Sequence, residues 1–248
     1  MKKSLILDAI SIVTATYNAA DVLPGLVASL EAQTDQNFEW VVADGGSTDE
    51  TLAMLKRAEA SLHRVFVNSQ PDFGIYDALN RAVKIVKSPY YIVAGADDKF
   101  HPKAVENFKA AIETSDADLI SAYVRFGNAL RGPRRHCWPW LYGPFAYVSG
   151  HAVSLAIRRD LHEHVGYYSR KLPIAADQLF ILEAIRHGAS VTVQPFEAGN
   201  FDAVGGMSGQ DVLGTLVEGY RAQIATGQSK WVQTMLLLAR IITNWRSI

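Results

Sequence analysis

Two adjacent carboxylates, Asp97 and Asp98, follow directly on the apolar run Tyr90-Tyr91-Ile92-Val93-Ala94-Gly95-Ala96. Aromatic and β-branched residues in such a run predict a buried strand, which puts both acids at its carboxyl end. Neighbouring carboxylates repel each other unless positive charge lies between them, and a divalent cation that prefers oxygen donors is the usual remedy. The same pair also fits solvated loop acids, or a cap for the helix that Pro102 opens. Other acids stand at comparable junctions. Asp44 closes the run Phe38-Glu39-Trp40-Val41-Val42-Ala43 and begins the turn Asp44-Gly45-Gly46-Ser47-Thr48-Asp49, where it fits an Asx-turn acid. Asp72 and Gly74 share a tight turn with Pro71, and Asp177 opens the apolar stretch Gln178-Leu179-Phe180-Ile181-Leu182.

The elements that must position these residues alternate in type. A first strand starting at Ser11 leaves through Tyr17-Asn18, and Asp21 is placed to cap a helix with Pro24 in its first turn. The second strand ends at Ala43, Asp49 is placed to cap a helix from Thr51 to Leu62, and Arg64-Val65-Phe66-Val67-Asn68 reads as a third strand. Helical periodicity then runs from Ile75 to Val86. This alternation argues for a largely parallel sheet with right-handed crossovers, whose ligands sit outside the carboxyl ends of the strands. The turns at Tyr17-Asn18, Asp44 to Ser47 and Asp97-Asp98 all fall there, so they are expected to face one crevice. Further on, Ser121 to Phe126 reads as a strand, Asp177 to His187 as a helix ended by Gly188, and residues 211–226 and 230–244 as helices.

Composition narrows the function. With 248 residues, 49% of them hydrophobic and 20% charged, the chain can build one large α/β domain or two small ones. Lys+Arg 24 against Asp+Glu 25 gives a net charge of -1, which argues against broad nucleic-acid binding. Neither a G-x-G-x-x-G turn after a strand nor a G-x-x-x-x-G-K-[ST] loop is present, so a nicotinamide dehydrogenase and a P-loop ATPase are disfavoured. The phosphates of a bound nucleotide are then expected to be held through a metal. Cys137 is the single cysteine and fits a reducing cytosol. The basic stretch Met1 to Asp8 lacks a cleavage site for export, and no apolar run is long enough to span a bilayer.

Four motifs in order carry a resemblance. Thr16-Tyr17-Asn18, Asp44-Gly45-Gly46-Ser47-Thr48-Asp49, Pro71-Asp72-Phe73-Gly74-Ile75-Tyr76-Asp77-Ala78-Leu79-Asn80 and Ala96-Asp97-Asp98 resemble the family 2 glycosyltransferases, over roughly residues 10–208. The resemblance implies an α/β GT-A fold, a Rossmann-like mixed central sheet flanked by helices, with C-terminal helices. It implies one domain over residues 1–248. Within it, residues 1–105 bind a nucleotide diphosphate sugar, 106–210 hold the acceptor and the base, and 211–248 form a helical extension. Ala15, Tyr17, Asp44, Asp72, Gly74, Asp97 and Asp98 then belong to the nucleotide-sugar site, with Asp44 accepting from a ring N–H of the base and Tyr17 beside the ring. Asp97 and Asp98 match an Asp-x-Asp-like element for Mn2+ or Mg2+. The sequence Ala96-Asp97-Asp98 departs from the strict pattern and leaves open which acid is the principal ligand.

The same resemblance assigns Asp177 as general base, although Ala176 replaces the commoner acid before it, and sets His151 near acceptor or diphosphate. In Arg131-Gly132-Pro133-Arg134-Arg135-His136-Cys137-Trp138-Pro139-Trp140, the guanidinium groups suit phosphate and the aromatic faces suit sugar or lipid. This makes Arg134, Arg135 and Trp138 acceptor candidates; the alternative is a surface loop that tucks its tryptophans into the core. Gly205-Gly206-Met207-Ser208 is read as a segment able to close over the sugar. The implied activity is metal-dependent, inverting transfer of a sugar to a hydroxyl of a glycan or lipid-linked glycan, in cell-surface polysaccharide synthesis. A non-catalytic nucleotide-sugar-binding module, acting as a partner or regulator, is the alternative. A nucleotidyltransferase is disfavoured because the first strand is not followed by a glycine-rich basic loop. The expected location is cytoplasmic. The apolar stripe Trp231, Met235, Leu238, Ile241, Ile242 and Trp245 either packs internally, dimerises or touches the inner face of the membrane.

Overall fold

A computed structural model of the chain describes residues 10–134, 138–201 and 211–248. The readings made at Met1 to Asp8, Arg135, Cys137 and Gly205-Gly206-Met207-Ser208 lie outside the described residues. The sheet grows in both directions from β1 (Ile10–Thr16). On one side β2 (Glu39–Asp44) and then β3 (Val65–Ser69) pair in parallel, and on the other side β4 (Tyr90–Val93) does. Helices α1 (Leu23–Glu31), α2 (Thr51–Ser61) and α3 (Ile75–Ile85) make the crossovers. Growth thus reverses at β1, and the crevice at such a switch point is where α/β sheets bind ligands.

After β4 come β5 (Lys99–Phe100), α4 (Ala104–Thr114), β6 (Leu119–Phe126), β7 (Ala129–Arg131) and the short α5 (Pro139–Tyr142). They are followed by β8 (Leu155–Arg158), α6 (Leu161–Val165), α7 (Ala176–Arg186), β9 (Val191–Phe201), α8 (Val212–Ala225) and α9 (Lys230–Thr243). The sheet order is β3-β2-β1-β4-β8-β6-β9-β5, with β7 paired to β6. The expectation of a largely parallel sheet holds for β1 to β4 and for β6 with β9, while β5, β7 and β8 run antiparallel to their neighbours. A 3-10 turn over Ala152–Ser154 leads into β8, which runs antiparallel to both β4 and β6. The pairing of β4 with β8 joins the two halves of the chain in one sheet.

Both faces of the sheet are covered, which explains why its inner strands read as unbroken apolar runs. Alternation along each strand sends Ile10, Ile12, Trp40, Val42 and Ile92 to one layer with Leu26, Leu55 and Phe108. Val13, Val41, Ala43 and Tyr91 go to the other layer with Leu79, Val83, Phe180 and Ile181. One cap differs from expectation. Asp21 does not cap α1, whose first turn follows Val22 instead, because the preceding turn is already held from α2. Thr51 Oγ1 accepts from the Ala19 N–H, and Asp49 accepts from both the Ala20 and Thr51 N–H groups. Asp49 therefore serves the start of α2, as its position predicts, and fastens the β1 turn as well.

Trp40 is fully buried and its indole N–H donates to Thr14 Oγ1 at 3.0 Å, so its large apolar body and its polar handle are both satisfied. Trp40→Ala is expected to lower unfolding stability by about 3–5 kcal/mol, read from the urea midpoint.

Candidate active site

A cavity of about 240 Å³ opens at the carboxyl ends of β1 and β4. Ala15, Tyr76, Asp97, Asp98, His151 and Asp177 line it, so residues far apart in the chain meet around one space. The acids arrive there through a tight turn. Ala94 N–H still bonds Val13 O as if in the sheet, and then Asp98 Oδ2 turns back to accept from the Gly95 N–H at 2.7 Å. A Cβ on Gly95 would stand 2.7 Å from Asp97 Oδ1 and 3.3 Å from Asp98 Oδ2. Glycine at this position is what lets both carboxylates fold over the strand end.

Asp98 is 1% exposed, and burial pushes its pKa well above the usual carboxylate range; the Gly95 N–H opposes the rise and the charge of Asp97 adds to it. His151 Nε2 stands 3.6 Å from Asp98 Oδ1. Burial holds that imidazole down to a pKa of about 4, so it is neutral at pH 7 and leaves the buried carboxylate unneutralised. Metal donors at about 2.1 Å from a common ion can stand up to twice that distance apart, so the 3.6 Å separation suits one ion between them. Carboxylate oxygen with one imidazole nitrogen fits a hard divalent cation such as Mn2+. No group of three or more His, Cys, Asp or Glu side chains is placed to hold a metal among the described residues. Substrate oxygens and water would have to complete the shell, as is common for cations that bind phosphates.

Asp177, in the first turn of α7, lines the same cavity as this pair. The Tyr76 hydroxyl lies 2.8 Å from Asp177 Oδ1 and 2.9 Å from the Ile174 carbonyl oxygen, and its one proton serves either. Burial raises the pKa of Asp177; the Tyr76 hydrogen bond opposes the rise, and the charge of Glu218 supports it. Glu218 accepts from the N–H groups of Ile174 and Ala175 at 2.8 Å each, which fixes the entry to α7. A carboxylate with a raised pKa, oriented by a phenol and bordering a cavity, has the attributes of a general base.

A second group lies around the β2 turn. Asp44 is fully buried: it accepts from Thr16 Oγ1, Ser47 Oγ, Ser69 Oγ and the N–H groups of Gly46 and Ser47. Burial alone would raise its pKa, yet the bonds from Ser47, Ser69 and Thr16 outweigh it and hold the carboxyl below its ordinary value. Asp44 thus organises the turn, and it can accept from a base N–H only by exchanging one of these bonds. Tyr17, 66% exposed, packs with Asp72 over Gly45, where a Cβ would stand 3.3 Å from the Tyr17 ring and 2.8 Å from Asp72 Oδ2. Asp72 is more than a solvated turn acid: it accepts from the Gly74 N–H at 2.9 Å and pairs with Arg81 at 3.1 Å. Arg81 also donates to Asn68 Oδ1 and to the Asp44 carbonyl oxygen. Gly74 has φ +110°, a backbone shape that favours glycine.

The remaining candidates separate. Arg134 stacks over the Tyr142 ring at 4.2 Å, and Trp138 is 61% exposed, so neither borders the cavity and Trp138 is not tucked into the core. Tyr76, Arg81 and Glu218 were not marked as site residues by sequence reasoning. Tyr76 lies inside the Gly74-Ile75-Tyr76-Asp77 motif, where the acids draw the attention, and that motif is the one signal for it.

The model of the family "Glycosyl transferase family 2" matches residues 11–171, and the chain belongs to that family. A "PGL/p-HBAD biosynthesis glycosyltransferase" of Mycobacterium bovis BCG is 29% identical over 188 residues, covering 73% of this chain and 72% of its own. Among solved structures, S. aureus TarS 1-349 with UDP-GlcNAc superposes with a TM-score of 0.69 at 18% identity, over 94% of this chain and 72% of that one. The mannosyltransferase PcManGT of Pyrobaculum calidifontis, with GDP-Man and Mn2+, superposes with a TM-score of 0.69 at 15% identity, over 96% and 75%. The mixed sheet described above is the GT-A glycosyltransferase fold, and the chain is a glycosyltransferase.

The two buried groups act on stability with opposite signs. The pKa of Asp98 is raised in the fold, so the unfolded chain ionises first and Asp98 costs stability as pH rises above 3.8. His151 is lowered from 6.5 to about 4, so it costs stability as pH falls below 6.5. Asp98→Asn is therefore expected to raise the metal-free melting temperature at pH 7.5 and to remove stabilisation by Mn2+, measured by thermal shift with and without the ion. Arg81→Ala, which releases the Asp44 turn and Asp72 together, is expected to cost about 2 kcal/mol in urea unfolding.

Proposed function

We propose that the chain moves a sugar from a nucleotide diphosphate sugar to an acceptor hydroxyl, with inversion at the anomeric carbon. The carrying observation is the meeting of Asp98 with His151 at 3.6 Å in the lining of a cavity that Asp177 also lines. Asp98 and His151 would hold Mn2+ or Mg2+, with substrate oxygens and water completing the shell and Asp97 lining the same cavity; the ion would supply Lewis-acid stabilisation of the charge that develops on the departing diphosphate. PcManGT, a structural neighbour crystallised with GDP-Man and Mn2+, supports the metal reading.

The chain's own residues do the rest. Tyr17 offers an exposed ring beside the base, over the turn that Asp44, Asp72 and Gly74 shape. Asp177 takes the proton of the acceptor hydroxyl as that oxygen attacks the anomeric carbon from the side opposite the diphosphate, while Tyr76 holds the carboxylate in place. One such displacement inverts the centre. Leu79, Val148, Leu155 and Ile181 make much of the cavity wall apolar, which excludes water from the reacting hydroxyl. The acceptor is a glycan or lipid-linked glycan, and the setting is cytoplasmic synthesis of a cell-surface polysaccharide or glycolipid.

The test uses UDP-GlcNAc and GDP-mannose, the ligands of two structural neighbours, with Mn2+ present. Asp177→Asn is expected to reduce kcat by roughly 10²–10⁴-fold while nucleotide affinity stays within about twofold by calorimetry. The wild-type rate should fall as acid protonates Asp177, with a midpoint above 3.8. Nucleotide binding without any transfer by the wild-type chain would instead favour the binding-module reading.

A further inference from the structure

Helix α9 carries its polarity the wrong way round for a helix that simply packs on a soluble protein. Gln233 is 1% exposed, and its side-chain amide donates to the Trp140 carbonyl oxygen at 2.6 Å. Arg240, seven residues on and hence on the same helix face, donates to the Leu141 carbonyl oxygen. Both polar side chains thus point at the body of the protein. Trp231, Met235, Leu238, Ile242 and Trp245 recur at i, i+4, i+7, i+11 and i+14 on the opposite face. All five are exposed, Trp231 at 84% and Ile242 at 70%. The bonds to Trp140 and Leu141 seat α5 against the inner face of α9, opposite the stripe, and so leave the stripe uncovered by α5.

Charge decides what covers such a face. Residues 219–248, which hold the stripe, contain no Asp or Glu, although the chain as a whole has Asp+Glu 25 against Lys+Arg 24. Exposed cations flank the apolar side chains in the chain: Lys230 at the start of α9 and Arg246 beside the Trp245 ring at 5.7 Å. A second copy of this chain is a poor occupant. A two-fold contact repeats one surface on both partners and would set cations against cations with no acid to pair them. A spanning role does not fit either. The helix has 14 residues, and no helix among the described residues is long and apolar enough to cross a membrane.

We infer that this face rests on an anionic bilayer surface. Helix α9 lies in the interfacial plane, Trp231 and Trp245 anchor its two ends among the headgroups, and Lys230 and Arg246 meet lipid phosphates. The helix is linked to the cavity through α5: Gln233 and Arg240 hold the Trp140 and Leu141 carbonyl oxygens, and Phe145, just past α5, is part of the cavity lining. An acceptor hydroxyl carried on a lipid would reach the cavity from that side. Membrane binding itself stands whether or not the transfer reading does.

The experiment is co-sedimentation of the whole chain with vesicles of phosphatidylcholine alone and of phosphatidylcholine mixed equally with phosphatidylglycerol. The chain is expected to pellet with the anionic vesicles, to be released by salt, and to stay in solution with the neutral ones. Trp231→Ser combined with Ile242→Ser should weaken binding by about tenfold or more without changing the melting temperature, since both side chains are exposed. Lys230→Gln combined with Arg246→Gln, which leaves the apolar stripe intact, should abolish the preference for anionic vesicles. Failure of the wild-type chain to pellet with anionic vesicles overturns the inference. So does equal binding to both vesicle types, or a dimer in analytical ultracentrifugation that the Trp231→Ser, Ile242→Ser chain loses.

Discussion

The carboxylate of Asp98, turned back onto the Gly95 N–H and shut away from water beside a neutral imidazole, is the constraint around which the rest of the site is arranged. A fold tolerates an acid in that position only when something else needs it there, because burial without a cation works against the charged form. The neighbouring features follow from that need. Gly95 has no side chain so that two acids can share the strand end, and His151 is carried in by a 3-10 turn rather than a long helix, within reach of Asp98.

Topology supplies the second constraint. Because β1 has β2 on one side and β4 on the other, the turns after these strands splay apart and leave a crevice between them. The Asp97-Asp98 turn lines the cavity, whereas Asp44 is buried in its own turn two strands away and does not border it. Arg81, reaching Asp72, Asn68 and the Asp44 carbonyl from one helix, ties the turn after β2 to α3. The same helix carries Tyr76 to Asp177. One short helix thereby links the Asp44 turn to the cavity.

Much of this was readable before any coordinates. Strand ends are conspicuous in sequence when an apolar run stops at an acid, so Asp44, Asp97 and Asp98 stand out, whereas Asp177 is singled out by the family resemblance alone, since an acid in the first turn of a helix is ordinary. What was not readable depends on partners distant in the chain. Tyr76 matters through a residue 101 positions away, and Glu218 through backbone 43 and 44 positions away, and no local pattern announces such pairs. The antiparallel entry of β8 was hidden for a related reason: its direction is chosen by pairing with β4 and β6, not by its own four residues. Asp21 shows the converse error. It had the right type and place for a cap, but the turn it would have closed was already tied by Thr51 and Asp49.

Glu218 carries one more implication. It sits on α8, which touches α9 through the Tyr220 and Thr234 hydroxyls 3.2 Å apart, while its own carboxylate grips the backbone immediately ahead of Asp177. The last two helices therefore join the exposed stripe to the backbone that enters α7, with α8 as the one connecting piece between the outer surface and the segment that carries Asp177.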